Sequence, residues 1–386
     1  MNGRRFFVVA AEPSGDLLAR EVVTEMRCRD PKLELSCIGG PELAAIGLVS
    51  KIDISALSIL GLFEGLKAYP KVVKLADAAA DAIIAAEPEA VVLVDSWGFM
   101  LRVAQRLKKR APEIKLIKLV GPQVWATRPG RAKTLSQVVD ELICIHDMET
   151  PFYEPYGLPV TVMGNPALSR TLKGNGERLR KLLGIANDKE ILLVLPGSRP
   201  SEIARVSPAL VEAARIVRNQ RPDLDIVFAP AESVRAQFAA MFQGQLNWSH
   251  LVPAQASPND VMAASTLALA CSGTVTSELA VQQVPFLVGY RTGWITWFLA
   301  RYFLFKPKCI TLLNIAAGDR EVAPEFVQTK LNAQTVAAAA LERLANPAML
   351  EAQIAAQNSI LATMGIGQQP AAEIAATAIL STSSAT

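Results

Sequence analysis

The sequence predicts an α/β protein made of two doubly wound domains that face a cleft, followed by C-terminal helices. Three observations predict it. The chain has 386 residues, more than one ordinary domain needs. Short apolar runs alternate with helical patterns along most of its length. Those runs carry apolar residues on both faces, the mark of parallel strands covered by helices on both sides.

In order, strands are expected at Phe6–Ala10, Val91–Asp95, Ile114–Val120, Glu141–Ile145 and Val160–Met163 in the first half. The second half offers Ile191–Leu195, Asp225–Ala229, Leu267–Cys271 and Phe286–Tyr290. Each set builds one Rossmann-like unit. The polar helical stretch "RTLKGNGERLRKLLG" marks the seam. The expected boundaries are 1–166 for the N-terminal domain, 167–340 for the C-terminal domain and 341–386 for C-terminal helices and tail. Beyond Asn332 the chain is Ala-rich and helical, with "ANP" at 345–347 interrupting it and "STSSAT" as a frayed end.

Composition narrows the function. About half of the residues are apolar and the formal net charge is +3, so a general nucleic-acid binder is disfavoured. Five cysteines lie scattered without a CxxC pair, which suits reduced thiols in a cytosolic protein, four of them in apolar surroundings that suit a core. Only two histidines are present and no metal site is expected. The N-terminal apolar run is too short for a signal peptide and is followed at once by Glu12 and Asp16. No apolar stretch reaches the length of a membrane span.

Ligands of open α/β sheets sit beyond the carboxyl ends of the strands, so the turns that follow strands are the candidate sites. In "AAEPSGDLLAREVV", Ser14 and Gly15 form a turn before a helix, with Glu12 and Asp16 beside it. The acids suit a sugar hydroxyl or an amide better than a phosphate, and Asp16 is equally suited to capping the helix. In "VVLVDSWGFM", Asp95 ends a strand, where a carboxylate can act as a base or cap the next helix. In "VGPQVWATRPGRAKTL", Trp125 stands with Arg128, Arg131 and Lys133, a mixture that fits a phosphorylated, partly apolar ligand or a solvated helix start. In "LPGSRPSEI", Gly197 lets the backbone approach a ligand, Ser198 offers a hydroxyl, Arg199 a guanidinium for phosphate, and Glu202 supports the helix start. In "CSGTVTSELA", Ser272, Gly273 and Thr274 form a second cradle, with Glu278 one turn on, where it can take a ribose diol. The two cradles together suggest a nucleoside diphosphate, and no GxxxxGK[ST] loop is present. Finally, the stretch 289–314 interleaves Trp294, Trp297, Phe298, Tyr302, Phe303 and Phe305 with Arg291, Arg301, Lys306 and Lys308, most densely over 294–308. That pattern fits a helix on a membrane surface, or a buried helix.

The pieces "EPSGD", "LVDSWGF", "GPQVWATRPGR", "MGNP", "LPGSRPSEI", "SGTVTSELA", "VGYR" and "LLNIAAGDREVAPEFVQ", in this order, resemble the lipid-A-disaccharide synthases, inverting glycosyltransferases of GT-B-like architecture. The resemblance implies transfer of sugar from UDP-2,3-diacylglucosamine to the 6-hydroxyl of 2,3-diacylglucosamine 1-phosphate, giving a β-1,6-linked disaccharide phosphate and UDP. It implies no cofactor and no metal, and a peripheral place on the cytoplasmic face of the inner membrane, reached through 294–308. A homodimer is left open. It carries substrate contacts onto Gly197, Ser198, Arg199, Ser272, Gly273, Thr274, Glu278, Tyr290, Asn314, Glu325 and Gln328. Where the family has "DxPDFN", this chain has Gly98 for the second aspartate and Met100 for the asparagine. Pro13, Asn165 and Leu313 also depart from the family pattern. Asp95, with Glu12 behind it, is then the expected base. A UDP-sugar 2-epimerase and a catalytically weak lipid-sugar-binding homologue are the rival readings.

Overall fold

The computed structural model of the chain describes residues 3–50, 52–53, 65–299 and 305–382. They form two compact units, Met1–Pro166 with Met364–Thr386, and Ala167–Thr363. In chain order the elements begin with β1 (Arg5–Ala10), α1 (Pro13–Arg29), β2 (Glu34–Ile38), α2 (Pro41–Ala45), α3 (Gly65–Ala85), β3 (Ala90–Val94), α4 (Trp97–Arg110), β4 (Lys115–Leu119), α5 (Arg131–Ser136), β5 (Glu141–Cys144), β6 (Val160–Val162) and α6 (Pro166–Ser169). They continue with α7 (Gly176–Leu183), β7 (Ile191–Leu195), α8 (Pro200–Arg205), α9 (Ser207–Gln220), β8 (Asp225–Phe228), α10 (Arg235–Met241), β9 (His250–Leu251), α11 (Pro258–Ala263), β10 (Leu267–Cys271), α12 (Val275–Val281) and β11 (Phe286–Tyr290). The last are α13 (Trp294–Leu299), α14 (Leu312–Ala316), β12 (Glu325–Val327), α15 (Ala333–Leu344), α16 (Pro347–Thr363) and α17 (Ala371–Thr382).

Each unit holds one six-stranded sheet, ordered β2-β1-β3-β4-β5-β6 in the first and β12-β11-β10-β7-β8-β9 in the second. Every pairing is parallel. The α/β class and the doubly wound sheets are those the sequence predicts. All nine expected strands form, and β2, β9 and β12 are added, each at a sheet edge. Edge strands have a neighbour on one side only, and these are only partly buried, so their sequences carry no continuous apolar run.

Both faces of the first sheet are covered. Phe7, Val9, Val91 and Leu93 pack with Ala79 and Ile83 of α3 and Val103 of α4. The alternate residues Phe6, Val8 and Ala10 pack with Val22 of α1 and with Ala375 and Ile379 of α17. The stretch expected to stand apart at 341–386 is thus divided: α16 lies in the second unit and α17 in the first. Arg4 and Lys115, at the starts of β1 and β4, donate to the carbonyls of Leu380 (3.0 Å) and Thr382 (2.8 Å) in the last turn of α17. Cations there complement the helix dipole. In the second unit, Leu210 and Val217 of α9 and Val336 and Ala340 of α15 cover one sheet face. All five cysteines are free; Cys37, Cys144 and Cys271 are buried, Cys309 is half-buried and Cys28 is exposed, so three rather than four are core residues.

The chain re-enters the first unit at Met364, and the next residue, Gly365, faces Gly164. Both have positive φ, 96° and 82°. A Cβ on Gly164 would lie 2.9 Å from Gly365 Cα, and one on Gly365 2.8 Å from Gly164 Cα. The close approach lets the Asn165 amide donate to the Met364 carbonyl at 2.8 Å. Gly164→Ala should cost about 1–3 kcal/mol of stability, from backbone strain and overpacking. A shift of the urea midpoint for the first unit checks this, and an unchanged midpoint contradicts it.

Candidate active site

In each sheet the chain begins in the middle and builds outward in both directions. The reversal points lie between β1 and β3 and between β7 and β10. Loops leaving adjacent strands in opposite directions open a crevice at their carboxyl ends. The four turns singled out at 12–16, 95–98, 197–199 and 272–274 flank these two points.

At the first point, Glu12 is the N-cap of α1 and Pro13 its first residue. Gly15 brings this turn against the next one, since a Cβ there would lie 3.6 Å from Asp95 Cβ. Asp95 and Ser96 both adopt left-handed backbone, φ 50° and 39°. Such a conformation is uncommon outside glycine and is tolerated best by Asp and Asn. Among the described residues, neither the Glu12 nor the Asp95 carboxylate has a hydrogen-bond partner in the protein. Ser14 is exposed and Asp95 half-buried. Asp16 is different. It is 2% exposed and its two oxygens accept from the amides of Gly40 (2.9 Å) and Glu42 (2.8 Å). Its carboxylate fastens the start of α2 to α1 rather than standing open to a ligand.

Sequence reasoning missed one residue here. Lys118, in β4, is 2% exposed. Its Nζ donates to the carbonyls of Leu93 (3.2 Å), Asp95 (2.6 Å) and Leu119 (3.2 Å). Burial pushes its pKa down to about 7, opposed by the nearby charges of Asp95 and Glu12. The only signal in the sequence is a lysine inside the apolar run Ile114–Val120.

The loop after β4 carries Val120 and Arg128, both at positive φ. Arg128 is exposed and Trp125 half-buried. Arg131, expected beside them for a phosphate, stacks its guanidinium 5.2 Å from the ring centre of Trp97. Gly98 is exposed at the first turn of α4, and Met100 is fully buried in the core.

At the second point lies a cavity of about 320 Å³, lined by Gly197, Ser198, Glu202, Ser272, Gly273, Thr274 and Glu278 and by apolar residues such as Val252 and Met262. That volume is at the small end of ligand pockets. Gly197 has φ 130°, and a Cβ on it would meet Glu202 Cβ at 2.7 Å. Glu202 explains the fit. Its carboxylate accepts from the amides of Ser198 (2.9 Å) and Arg199 (3.2 Å). Those amides are therefore engaged, and the phosphate cradle read at 197–199 reduces to the Ser198 hydroxyl and the Arg199 guanidinium. Arg199 keeps a side chain 75% exposed, with one 3.5 Å contact to Glu202. Across the cavity, the amides of Gly273, Thr274 and Val275 have no acceptor among the described residues. Glu278 is half-buried and burial raises its pKa.

The remaining carried-over residues sit elsewhere in this unit. Asn314 is fully buried. Its Nδ2 donates to Ala323 O and Glu325 Oε1, both at 2.8 Å, and its Oδ1 accepts from the amides of Val322 and Ala323. Glu325 also accepts from the amides of Ile310 (2.8 Å) and Thr311 (2.9 Å). Gln328, at φ 55°, accepts from Thr292 N at 2.9 Å. Asn314 and Glu325 knit the segment from Ile310 to Glu325 together, and none of these three lines the cavity. Tyr290 ends β11, and burial raises its pKa, with Cys271 and Glu202 adding to the effect. Of the aromatic and basic segment, Trp294 is 67% exposed, Phe298 52% and Leu299 48%. Arg301, Tyr302 and Phe303 lie outside the described residues. Lys306 and Lys308 are exposed. Among the described residues, no helix is long and apolar enough to cross a membrane.

The fold is shared with solved structures at low identity. A UDP-GlcNAc 2-epimerase from Neisseria meningitidis bound to UDP-GlcNAc superposes with a TM-score of 0.57 at 12% identity, over 98% of this chain and 99% of that one. A glycosyltransferase from Rickettsia africae gives 0.56 at 10% identity, over 99% and 98%. The sequence goes further. Residues 6–379 match the family model described as lipid-A-disaccharide synthetase. The lipid-A-disaccharide synthase of Rhodospirillum centenum is 36% identical over 97% of this chain and 93% of its own length. That of Paramagnetospirillum magneticum is 33% identical over 97% and 96%. A fold of two doubly wound units and sequence matches along nearly the whole chain converge: this chain belongs to the lipid-A-disaccharide synthase family.

Proposed function

We propose that the protein transfers 2,3-diacylglucosamine from its UDP donor to the 6-hydroxyl of 2,3-diacylglucosamine 1-phosphate. The cavity between β7 and β10 carries the reading. It offers open amides at the start of α12, the hydroxyls of Ser198, Ser272 and Thr274 and the carboxylate of Glu278. Arg199, on the same turn as Ser198, keeps a largely exposed guanidinium with one 3.5 Å contact to Glu202. Those groups suit a diphosphate and a ribose diol. In the reaction the acceptor oxygen bonds to the anomeric carbon and gives its proton to a carboxylate. The bond from that carbon to the phosphate oxygen breaks, and UDP leaves with the charge that Arg199 stabilises. No residue of the site needs a metal for this. Glu12 and Asp95 are the acids open to an acceptor, and Trp125 and Arg128 lie on the loop that follows β4. Gly98 leaves Asp95 as the acid on the turn after β3. The epimerase rival gains nothing from the shared fold, which many activities use.

The acyl chains of both substrates suit a protein that works at a membrane surface. The exposed Trp294, Phe298 and Leu299, followed by Lys306 and Lys308, favour contact with the anionic inner face of the inner membrane.

Arg199→Ala should weaken UDP binding by about 1.5–3 kcal/mol, the range for hydrogen bonds to a charged group. Calorimetry with UDP checks it, and parental affinity in a folded variant removes Arg199 from the site. Asp95→Asn should lower turnover at least about a hundredfold with UDP affinity preserved, and Glu12→Gln should lower it less. Single-turnover formation of disaccharide from donor and acceptor decides it. An active Asp95→Asn with an inactive Glu12→Gln reverses the assignment, and two active variants discard both. Serine at Trp294, Trp297 and Phe298 should abolish sedimentation with phosphatidylglycerol vesicles, binding that salt should also weaken in the parent. Equal sedimentation of variant and parent excludes this segment as the contact.

A further inference from the structure

The buried ammonium of Lys118 has more hydrogen-bond order than a strand residue needs. It sits in register between Leu93 of β3 and Leu142 of β5, in the interior of the sheet. The α3 and α4 side of the sheet is an apolar cluster. The charged groups that face it are Asp95 and Glu12. Its three acceptors are the carbonyls of Leu93, Asp95 and Leu119, which bracket the ends of β3 and β4. An ammonium has three N–H donors and no lone pair, so it satisfies all three at once. A neutral amine would set its lone pair against one of them.

The carbonyl it holds most closely, at 2.6 Å, belongs to Asp95. That residue and Ser96 are in left-handed backbone, and so is Val120 just beyond Leu119. A strained turn persists only where its surroundings over-determine it. The Asp95 amide is also fixed, donating to the Leu119 carbonyl at 2.8 Å. We propose that Lys118 is a positioning residue for the Asp95 carboxylate: its ammonium ties the ends of β3 and β4 together and holds the turn in the shape that presents that carboxylate to an acceptor hydroxyl. The proposal rests on the reading of Asp95 as the base.

The arrangement costs stability. The folded-state pKa of about 7 lies below the ordinary 10.5. Below about 7 both folded and unfolded chains are protonated and the full burial cost is present. Between about 7 and 10.5 the unfolded chain binds more protons, so this cost fades as pH rises.

The test uses the full chain with Lys118→Met, which keeps the volume and removes the donors, and Lys118→Gln, which keeps N–H donors without charge. The Met variant should lose about a hundredfold in kcat, as a misplaced catalytic group does, with KM for the UDP donor unchanged. The Gln variant should recover part of the loss. The parent's kcat should fall as pH rises above about 7, where the ammonium is lost, and the Met profile should lack that fall. Relative to the parent, the Met variant should fare best below about pH 7, where the parent bears the full burial cost of the ammonium. Parental kcat in the Met variant, or a loss carried by KM alone, overturns the proposal. If that variant does not fold, parental kcat together with parental hydrogen exchange at residues 95–98 in the Gln variant overturns it instead. A parent that makes no disaccharide refutes the glycosyltransferase reading and the base role of Asp95 with it, and leaves only the hold of Lys118 on the turn to be tested. Hydrogen exchange then decides, because residues 95–98 should exchange faster in the Met variant, and unchanged exchange there overturns the positioning role.

Discussion

Everything in this protein hangs on one constraint: a parallel sheet must hide both faces. Parallel strands cannot be joined by tight hairpins, so each strand is followed by a crossover, usually a helix. A sheet begun in the middle must then send its helices to opposite faces, and the chain reverses direction once. In both sheets that reversal falls beside the first strand laid down, β1 in one and β7 in the other. Cores of Val, Leu and Ile fix the strands, and the crevice follows from topology before any functional side chain is chosen.

The two crevices differ in electrical character. Between β7 and β10, the one buried acid of the turn, Glu202, spends its charge on two amides and leaves the guanidinium of Arg199 in solvent. The opposite wall presents unsatisfied N–H groups. Such a place favours an anion. Between β1 and β3, two carboxylates have no hydrogen-bond donor among the described residues, and their charges act on the buried Lys118. Such a place favours a group that gives up a proton. A transfer reaction needs both kinds of surroundings, one for the leaving diphosphate and one for the incoming hydroxyl.

The interior strands were legible because burial on both faces demands unbroken apolar runs, as in "AVVLV" and "ILLVL". The edges β2, β9 and β12 were not, because half-solvated strands look like loops in sequence. The turns at 12–16 and 272–274 were legible as strand–glycine–helix patterns. What a polar side chain does inside such a turn was not. Glu202 reads as a helix-start acid and is one, accepting from the amides of Ser198 and Arg199 at the start of its own helix; Asp16 reads the same way, yet it binds the amides of Gly40 and Glu42, which only the tertiary fold brings to it. Asn314 and Glu325 were marked by family resemblance, and their hydrogen bonds are internal, a distinction that spacing along a chain does not encode. Lys118 was hidden for the opposite reason: a long apolar stem lets lysine pass as one more residue of a buried strand.

The return of α17 to the first unit bears on how the protein is made. A ribosome delivers β1 through β6 first, but one face of that sheet is completed by Ala371, Ala375, Ala376 and Ile379. Until those residues emerge, Phe6, Val8 and their neighbours lack part of their cover. The second unit, Ala167–Thr363, is contiguous and has all of its own residues in hand earlier. The unit that begins first on the ribosome therefore receives its last residues second. The N-terminal sheet is translated first and finished last, and during that interval its uncovered apolar face is the surface a chaperone would have to shield.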